Sequence, residues 1–336
     1  MNKRVTVYDV AKACGLSSST VSRVFNNSVL VGAEKRKLIL ETADMLGYQK
    51  RTIRKQENRA ILNIKLFLPS TRYAFVHLFY DVAELIEGMQ EGFGVVKVNI
   101  IMKINRGEDE VFANKKLGDI DGCVFAFTEP DEKLIRQLDQ RGIPLLLLNR
   151  EISGHNYVKY DDEACMTRLL EKIIAKRGNG RGEPIRPCFI GFEPVAYINR
   201  ERKKGLALGC RRYGIPFDPE KDTFGFQSVK EIPADFMTEL KKRGYNTVFC
   251  FNDIIALPIY QAAIQSGYKF PDDFSLTGFD DSPTLEIISQ RIDTIRFNVG
   301  HLGKEAGSWL RKRIIERNVT MIQKNLMGEY VKGETI

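Results

Sequence analysis

From Ile61 onward, short apolar runs alternate with amphipathic segments of helical period, and after Asn149 the alternation starts afresh. ILNIKLFLP reads as a buried strand ending at Pro69, followed by a helix over Phe79–Gly92 and a strand over Val95–Ile104. A helix over Glu108–Leu117, a strand over Gly122–Phe127, a helix over Asp131–Gly142 and a strand over Pro144–Leu148 complete the first series. The second series places helices over Ala164–Arg177, Arg202–Tyr213 and Ile254–Gly267. Its strands are Pro187–Gly191, Asn246–Phe251 and Ser275–Gly278. Strands separated by helical crossovers return to the same end of a sheet and so run parallel, with the helices covering its faces. The expected core is therefore an α/β unit of two doubly wound parallel-sheet lobes with a cleft between them. Ligands of such sheets lie beyond the carboxyl ends of the strands. The residues there are Ser70, Asn149, Phe192 and Glu193, Asn252 and Asp253, and Asp280 and Asp281.

Before this core, TVYDVAKACGLSSSTVSRVFN (Thr6–Asn26) has a different period. Thr6 is placed to cap a first helix, with Asp9 as its capping-box partner, and Val7, Val10 and Ala11 share one face. Gly15 suits the left-handed turn that stops that helix. Ser17 or Ser18 caps a second helix, whose Val21, Val24 and Phe25 face inward while Ser18, Ser19, Ser22 and Arg23 face out. Two helices joined by so short a turn, the second with a small polar and cationic outer face, describe an all-α helix-turn-helix that lays its second helix in the DNA major groove. A third helix is expected over Val31–Gly47, with Leu38, Ile39, Thr42, Met45 and Leu46 as its buried stripe. Residues 49–60, QKRTIRKQENRA, are polar and basic around a single Ile53 and read as a linker.

Charge separates the two parts. The chain of 336 residues carries a net charge of +8. Residues 1–60 hold 12 Lys/Arg against 5 Asp/Glu, leaving 39 against 38 in the remainder. Nearly all the excess therefore sits beside the helix-turn-helix, where neutralising phosphates and releasing counterions would use it. The six cysteines are scattered without a CxxC pair, and His77, His155 and His301 stand apart, so neither a disulfide framework nor a metal site is expected. No apolar run approaches the ~20 residues of a membrane span, and the first residues lack the apolar core of a signal peptide. A reduced, cytoplasmic protein is expected.

Enzymatic motifs are lacking as well. Gly178-Asn179-Gly180-Arg181-Gly182 follows a helix instead of a strand, so its glycines suit a turn better than a dinucleotide site. There is no GxxxxGK[ST] and no GxSxG, and Asp161-Asp162 and Asp280-Asp281 are neighbours whose side chains splay apart. Neither an enzyme nor a cofactor is expected.

The segment TVYDVAKACGLSSSTVSRVFNN followed by TADMLGY resembles the DNA-binding headpiece of the LacI/GalR family of bacterial transcription regulators. IDGCVFAF, IPLLLLNR, VKYDDEA, RKKGLALGCRRYGI, VFCFNDIIALPIYQAAIQSGYKFPDDFSLTGFDDS and LGKEAGSWL resemble the same family in order, over essentially the whole chain. The resemblance implies a headpiece over 1–48, a hinge over 49–60 and a periplasmic-binding-protein-like core over 61–336. Lobe 1 would take about 61–160 plus 292–322, and lobe 2 about 161–291 plus 323–336. It implies a homodimeric repressor that grips double-stranded operator DNA and binds a small sugar-like effector between its lobes. By the same resemblance Ser18, Ser19, Ser22 and Arg23 read bases, while Tyr8, Ser17, Thr20 and Asn26 touch the backbone or pack the motif. Asn149, Arg202, Asn252 and Asp280 are the polar effector contacts, with Phe75, Phe79 and Phe226 as apolar walls. An Asn, an Arg and an Asp converging on a cleft suit a hydroxylated ligand, since each hydroxyl both donates and accepts.

Three departures from the family stand out. Gly47-Tyr48 is followed by Gln49-Lys50-Arg51 where the family carries Pro-Asn, and Glu57 occupies the place of the leucine that wedges into the minor groove. Ile53 would serve as wedge only in a shifted register. An alternative follows, in which the core binds a small molecule that does not switch DNA binding. Gly32 stands at the cap of the third helix, where it costs little. Pro258 should kink its helix early or sit in the first turn.

Overall fold

In this computed structural model the described residues are 5, 7–25, 31–46, 48, 61–70, 81–105, 120–177 and 183–336. The expected cap at Thr6, the linker 49–60 with Ile53 and Glu57, the helix expected over Glu108–Leu117 and the glycine run 178–182 lie outside them. The chain divides into two units, Met1–Arg59 and Ala60–Ile336.

The first unit is built from α1 (Val7–Cys14), α2 (Ser18–Phe25) and α3 (Ala33–Met45). Gly15 takes φ +66° in the turn between α1 and α2, and Ser17 caps α2 by accepting from the Thr20 amide at 3.2 Å. Val10, Ala11, Val21, Val24, Ile39 and Ala43 close its interior, with Phe25 against Tyr48 at 5.0 Å between ring centroids. The buried stripe of α3 runs through Ile39, Thr42 and Ala43, whereas Leu38 and Met45 are exposed, Met45 at 81%. The helix is so phased that Ile39 and small Ala43 join the core, and Leu38 and Met45 turn outward. Gly32 precedes α3 with φ −59° and no side-chain cap.

The second unit begins with β1 (Leu62–Pro69), α4 (Val82–Phe93), β2 (Val98–Asn105), β3 (Gly122–Ala126), α5 (Glu132–Arg141), β4 (Leu145–Leu148) and β5 (Tyr157–Tyr160). Then come α6 (Asp162–Arg177), β6 (Pro187–Phe192), α7 (Ala196–Arg212), β7 (Thr223–Phe226), α8 (Phe236–Lys242) and β8 (Thr247–Cys250). It ends with α9 (Asp253–Gln265), β9 (Ser275–Thr277), β10 (Thr294–Arg296), α10 (Val299–Ile314), β11 (Gln323–Leu326) and β12 (Glu329–Val331). One parallel sheet has the order β11-β5-β4-β3-β1-β2, and a second the order β7-β6-β8-β9. Strands β3, β4 and β6 are buried along their whole length, as fully covered parallel strands must be. β11 pairs with β5 from Gln323↔Tyr157 to Leu326↔Tyr160, so the first sheet extends four residues past position 322. The antiparallel pair β10–β12 joins the second sheet through bridges from Thr277 to Asp293 and from Asp280 to Arg296.

Helix α4 starts at Val82 because Asp81 accepts from the Ala83 amide at 2.7 Å. It packs backbone to backbone on α10. A Cβ on Gly88 would come within 2.0 Å of the Gly300 carbonyl oxygen, and one on Gly307 within 2.2 Å of the Met89 oxygen. Glycine is required at such approaches. Asn252 caps α9 by accepting from the Ile255 amide, which starts the helix at Asp253 and leaves Pro258 beyond the first turn. There Pro258 supplies no amide to the carbonyl of Ile254.

Candidate functional site

The carboxyl ends of β1, β3, β4, β8 and β9 converge on a cavity of about 170 Å³ between the two sheets. The first sheet contributes Pro69, Phe127, Asn149 and Arg150; the second contributes Phe251 and Asp280, with Pro194, Val195, Ile198 and Arg202 from the segment entering α7 and α7 itself. Phe297, Val299 and Leu302, where the chain enters α10, line the cavity too. Pro69 and Phe127 stand where the sheet order reverses around β1, the topological switch point of a doubly wound sheet.

Arg202 is the centre of this arrangement. It sits inside α7, not at a helix start as its sequence position suggested, because α7 begins six residues earlier at Ala196. The side chain is 3% exposed and every nitrogen is engaged. Nε donates to Asp162 Oδ1 at 2.8 Å, Nη1 to the Phe251 carbonyl at 2.5 Å and Nη2 to Asp280 Oδ1 at 2.8 Å. The guanidinium also lies 3.8 Å from the Phe279 ring centroid. Burial opposes its charge, but the carboxylates of Asp280 and Asp162 more than offset this and hold it above its ordinary pKa. Two carboxylates around one buried guanidinium fix its plane, and with it the direction Asp280 presents to the cavity.

Asp280 and Asn149 carry strained backbones, φ +91° and +53°. Such residues are held by their surroundings and gather at functional positions. Asn149 Oδ1 accepts from the Tyr160 amide at 3.3 Å. Asn252 does not line the cavity. Its amide nitrogen donates to Asp280 Oδ2 at 3.3 Å while its oxygen caps α9, so it stands one layer behind. Asp281 belongs to a separate network, accepting from Arg291 at 3.0 Å and Arg296 at 2.7 Å. Phe226 lies on β7 with its ring edge-on to Phe236 at 5.4 Å and is not among the cavity residues, because β7 is the outer strand of its sheet. Phe75 and Phe79 lie outside the described residues.

Two groups, one lining the cavity and one behind it, escaped the sequence reading. Asp162 holds Arg202 from the first turn of α6; the pair VKYDDEA could have drawn attention to it only if one aspartate were known to be buried. Arg150 follows the strained Asn149, and its side chain is 12% exposed. Burial pulls this guanidinium below its ordinary pKa, with Glu129, Asp162 and Tyr197 pulling it back.

In the first unit Tyr8 is 75% exposed. Ser17 and Thr20 share a hydrogen bond of 2.8 Å between their hydroxyls. Ser18 is half-buried in the first turn of α2, and Ser19, Ser22 and Arg23 follow on the same helix, their side chains outside the described residues, as is Asn26. Among the described residues no cluster of His, Cys, Asp and Glu could hold a metal ion, and no helix is long and apolar enough to cross a membrane.

Comparison with known proteins matches both units. Residues 6–50 fit the model of the bacterial regulatory proteins of the lacI family, and residues 186–336 that of a periplasmic binding protein-like domain. The chain is 28% identical over 317 residues to the NTD biosynthesis operon regulator NtdR of Bacillus subtilis (strain 168), covering 90% of each chain. Its fold matches the transcriptional regulator CelR–cellobiose complex with a TM-score of 0.65 at 22% identity, covering 99% of this chain and 100% of that one. It matches the lac repressor dimer bound to operator and the anti-inducer ONPF with a TM-score of 0.64 at 22% identity, covering 99% of each.

Proposed function

Since this chain belongs to the LacI family of bacterial regulatory proteins, we propose that it represses transcription as a homodimer whose hold on operator DNA is set by a small hydroxylated effector, a sugar or sugar derivative. The chain is a DNA-binding transcriptional regulator and not an enzyme. Its place of action is the cytoplasm. Ser18, Ser19, Ser22 and Arg23 read bases from α2, and Tyr8, Ser17, Thr20 and Asn26 hold the backbone or the motif. Arg23 carries most of the discrimination, because a guanidinium reaches O6 and N7 of guanine together.

The observation that supports the effector class best is the Asp162–Arg202–Asp280 network at the cavity wall. Each nitrogen of Arg202 already donates to protein, and Asp280 is offered as an acceptor to ligand hydroxyls, with Asn149 beside it and apolar walls for the carbon skeleton. The effector is held between sheets that belong to different lobes, so it acts through its unequal affinity for the DNA-competent and DNA-incompetent lobe arrangements.

Ligand-induced shifts in the melting temperature of the full chain against a panel of sugars, polyols and sugar derivatives test the class, since binding to the folded state raises apparent stability. Asp280→Ala should abolish the shift given by the best ligand. A shift unaltered in that variant would remove Asp280 from the site.

A further inference from the structure

The cavity has a second arginine, and its circumstances are opposite to those of Arg202. Arg150 Nη1 donates to the carbonyl of the adjacent Asn149 at 2.6 Å, and Nε stands 4.0 Å from Glu129 Oε1, too far for a hydrogen bond. The Tyr197 ring centroid lies 5.9 Å from the guanidinium carbon. The carboxylates of Asp162 and Asp280 are both turned to Arg202, and Lys159 is already paired with Glu151 at 2.5 Å. A guanidinium has five N–H donors in a planar fork. Among the described residues most of those of Arg150 have no acceptor, yet its nitrogens are not among the fully enclosed polar atoms lacking partners, a set that includes Arg291 Nε and Arg311 Nε. They are reachable, and the residue lines the cavity.

We propose that Arg150 receives an acid group, a carboxylate or a phosphate, carried by the hydroxylated molecule in the cleft, so that the effector is an anionic sugar derivative and not a neutral sugar. This rests on the reading of the cleft as the site of a hydroxylated effector. Hydroxyls satisfy Asp280 and Asn149, but each offers Arg150 a single uncharged acceptor. An acid group presents two oxygens that match the fork and supplies a counter-charge in direct contact. Because the guanidinium is already largely withdrawn from water, the partner that completes it gains without a further desolvation of comparable size. Glu129, 44% exposed at 4.0 Å, is too distant and too well solvated to do the same.

Titration calorimetry on the full chain tests this with matched pairs: glucose against glucuronate, galactose against galacturonate, and glucose against glucose 6-phosphate. At least one acid should bind about tenfold or more tightly than its neutral parent. Which pair shows the preference separates carboxylate from phosphate. Arg150→Gln should remove the preference and Arg150→Lys should retain part of it, with the melting transition of each variant reporting that the fold is kept. Neutral parents binding as well as the acids, or a preference that survives Arg150→Gln, would overturn the assignment to Arg150 and leave the hydroxylated effector standing. If no member of any pair binds, the assignment falls together with that reading.

Discussion

The headpiece and the α/β unit are held together on different scales. Among the described residues, six buried side chains, none larger than isoleucine, form the heart of the headpiece, with Phe25 and Tyr48 partly buried against them, while one continuous apolar cluster runs from Leu62 in the first sheet to Phe279 beside the second. A unit of fewer than 60 residues buries a small share of its surface and keeps a thin margin of stability. The end that reads DNA is therefore the end a single truncation can undo, and the α/β unit is the one that absorbs such a loss.

The largest expected effect tests that asymmetry directly. Ile39→Ala empties a fully buried position of the headpiece and should cost roughly 2–5 kcal/mol, comparable to all that so small a unit has. Operator binding, followed by fluorescence anisotropy, should be lost while ligand binding to the core persists. A variant that still binds operator would erase the contrast. Gly307→Ala probes the other side. Its Cβ meets the Met89 oxygen, and forcing α4 from α10 should cost about 1–3 kcal/mol, read as a lower melting temperature of a core that still folds. A melting temperature equal to wild type would show that the helices are not held at that distance.

The smallest effect is a change of slope with pH. Asp253 is fully buried, and desolvation raises its carboxyl well above the ordinary 3.8, against the pull of the Ser282 amide and the Thr294 hydroxyl. The folded state then binds a proton that the unfolded state releases first. Stability from this group is complete below about pH 4 and declines as pH rises toward the folded-state value. Asp253→Asn should remove that decline, so the wild-type minus variant difference in urea unfolding free energy should fall as pH rises above about 4. A flat difference would place the proton elsewhere.

The sheet was legible wherever a strand is apolar throughout. GCVFA and LLLL admit no other reading between turn signals. Short strands with polar faces, YVKY in β5 and QKNL in β11, carry no such signal, because an edge or near-edge position asks little of the side chains. Of the site, Asn149 and Asp280 were visible as residues just past strand ends, and the structure places both at the cavity. Arg202 was singled out and lines the cavity, but it sits inside its helix and not at the start, since Val195 offers no side-chain cap to mark where that helix begins. Arg150 was not singled out, and Asp162 drew notice only as the neighbour of Asp161, because nothing in one sequence tells a buried charge from an exposed one. In α3 the stripe was found at Ile39 and Thr42 but its edge was missed, as Ala43 carries too little hydrophobicity to outvote Leu38 and Met45.

Helix α10 begins at the cavity, with Val299 and Leu302 in its wall, and then runs locked against α4 by glycines on both sides. Its 16 residues span about 24 Å at the helical rise. Two backbones in contact leave no side chains between them to repack, so a displacement imposed at Val299 is not dissipated along the pair. A ligand seated against Val299 would therefore press on one end of a stiff rod.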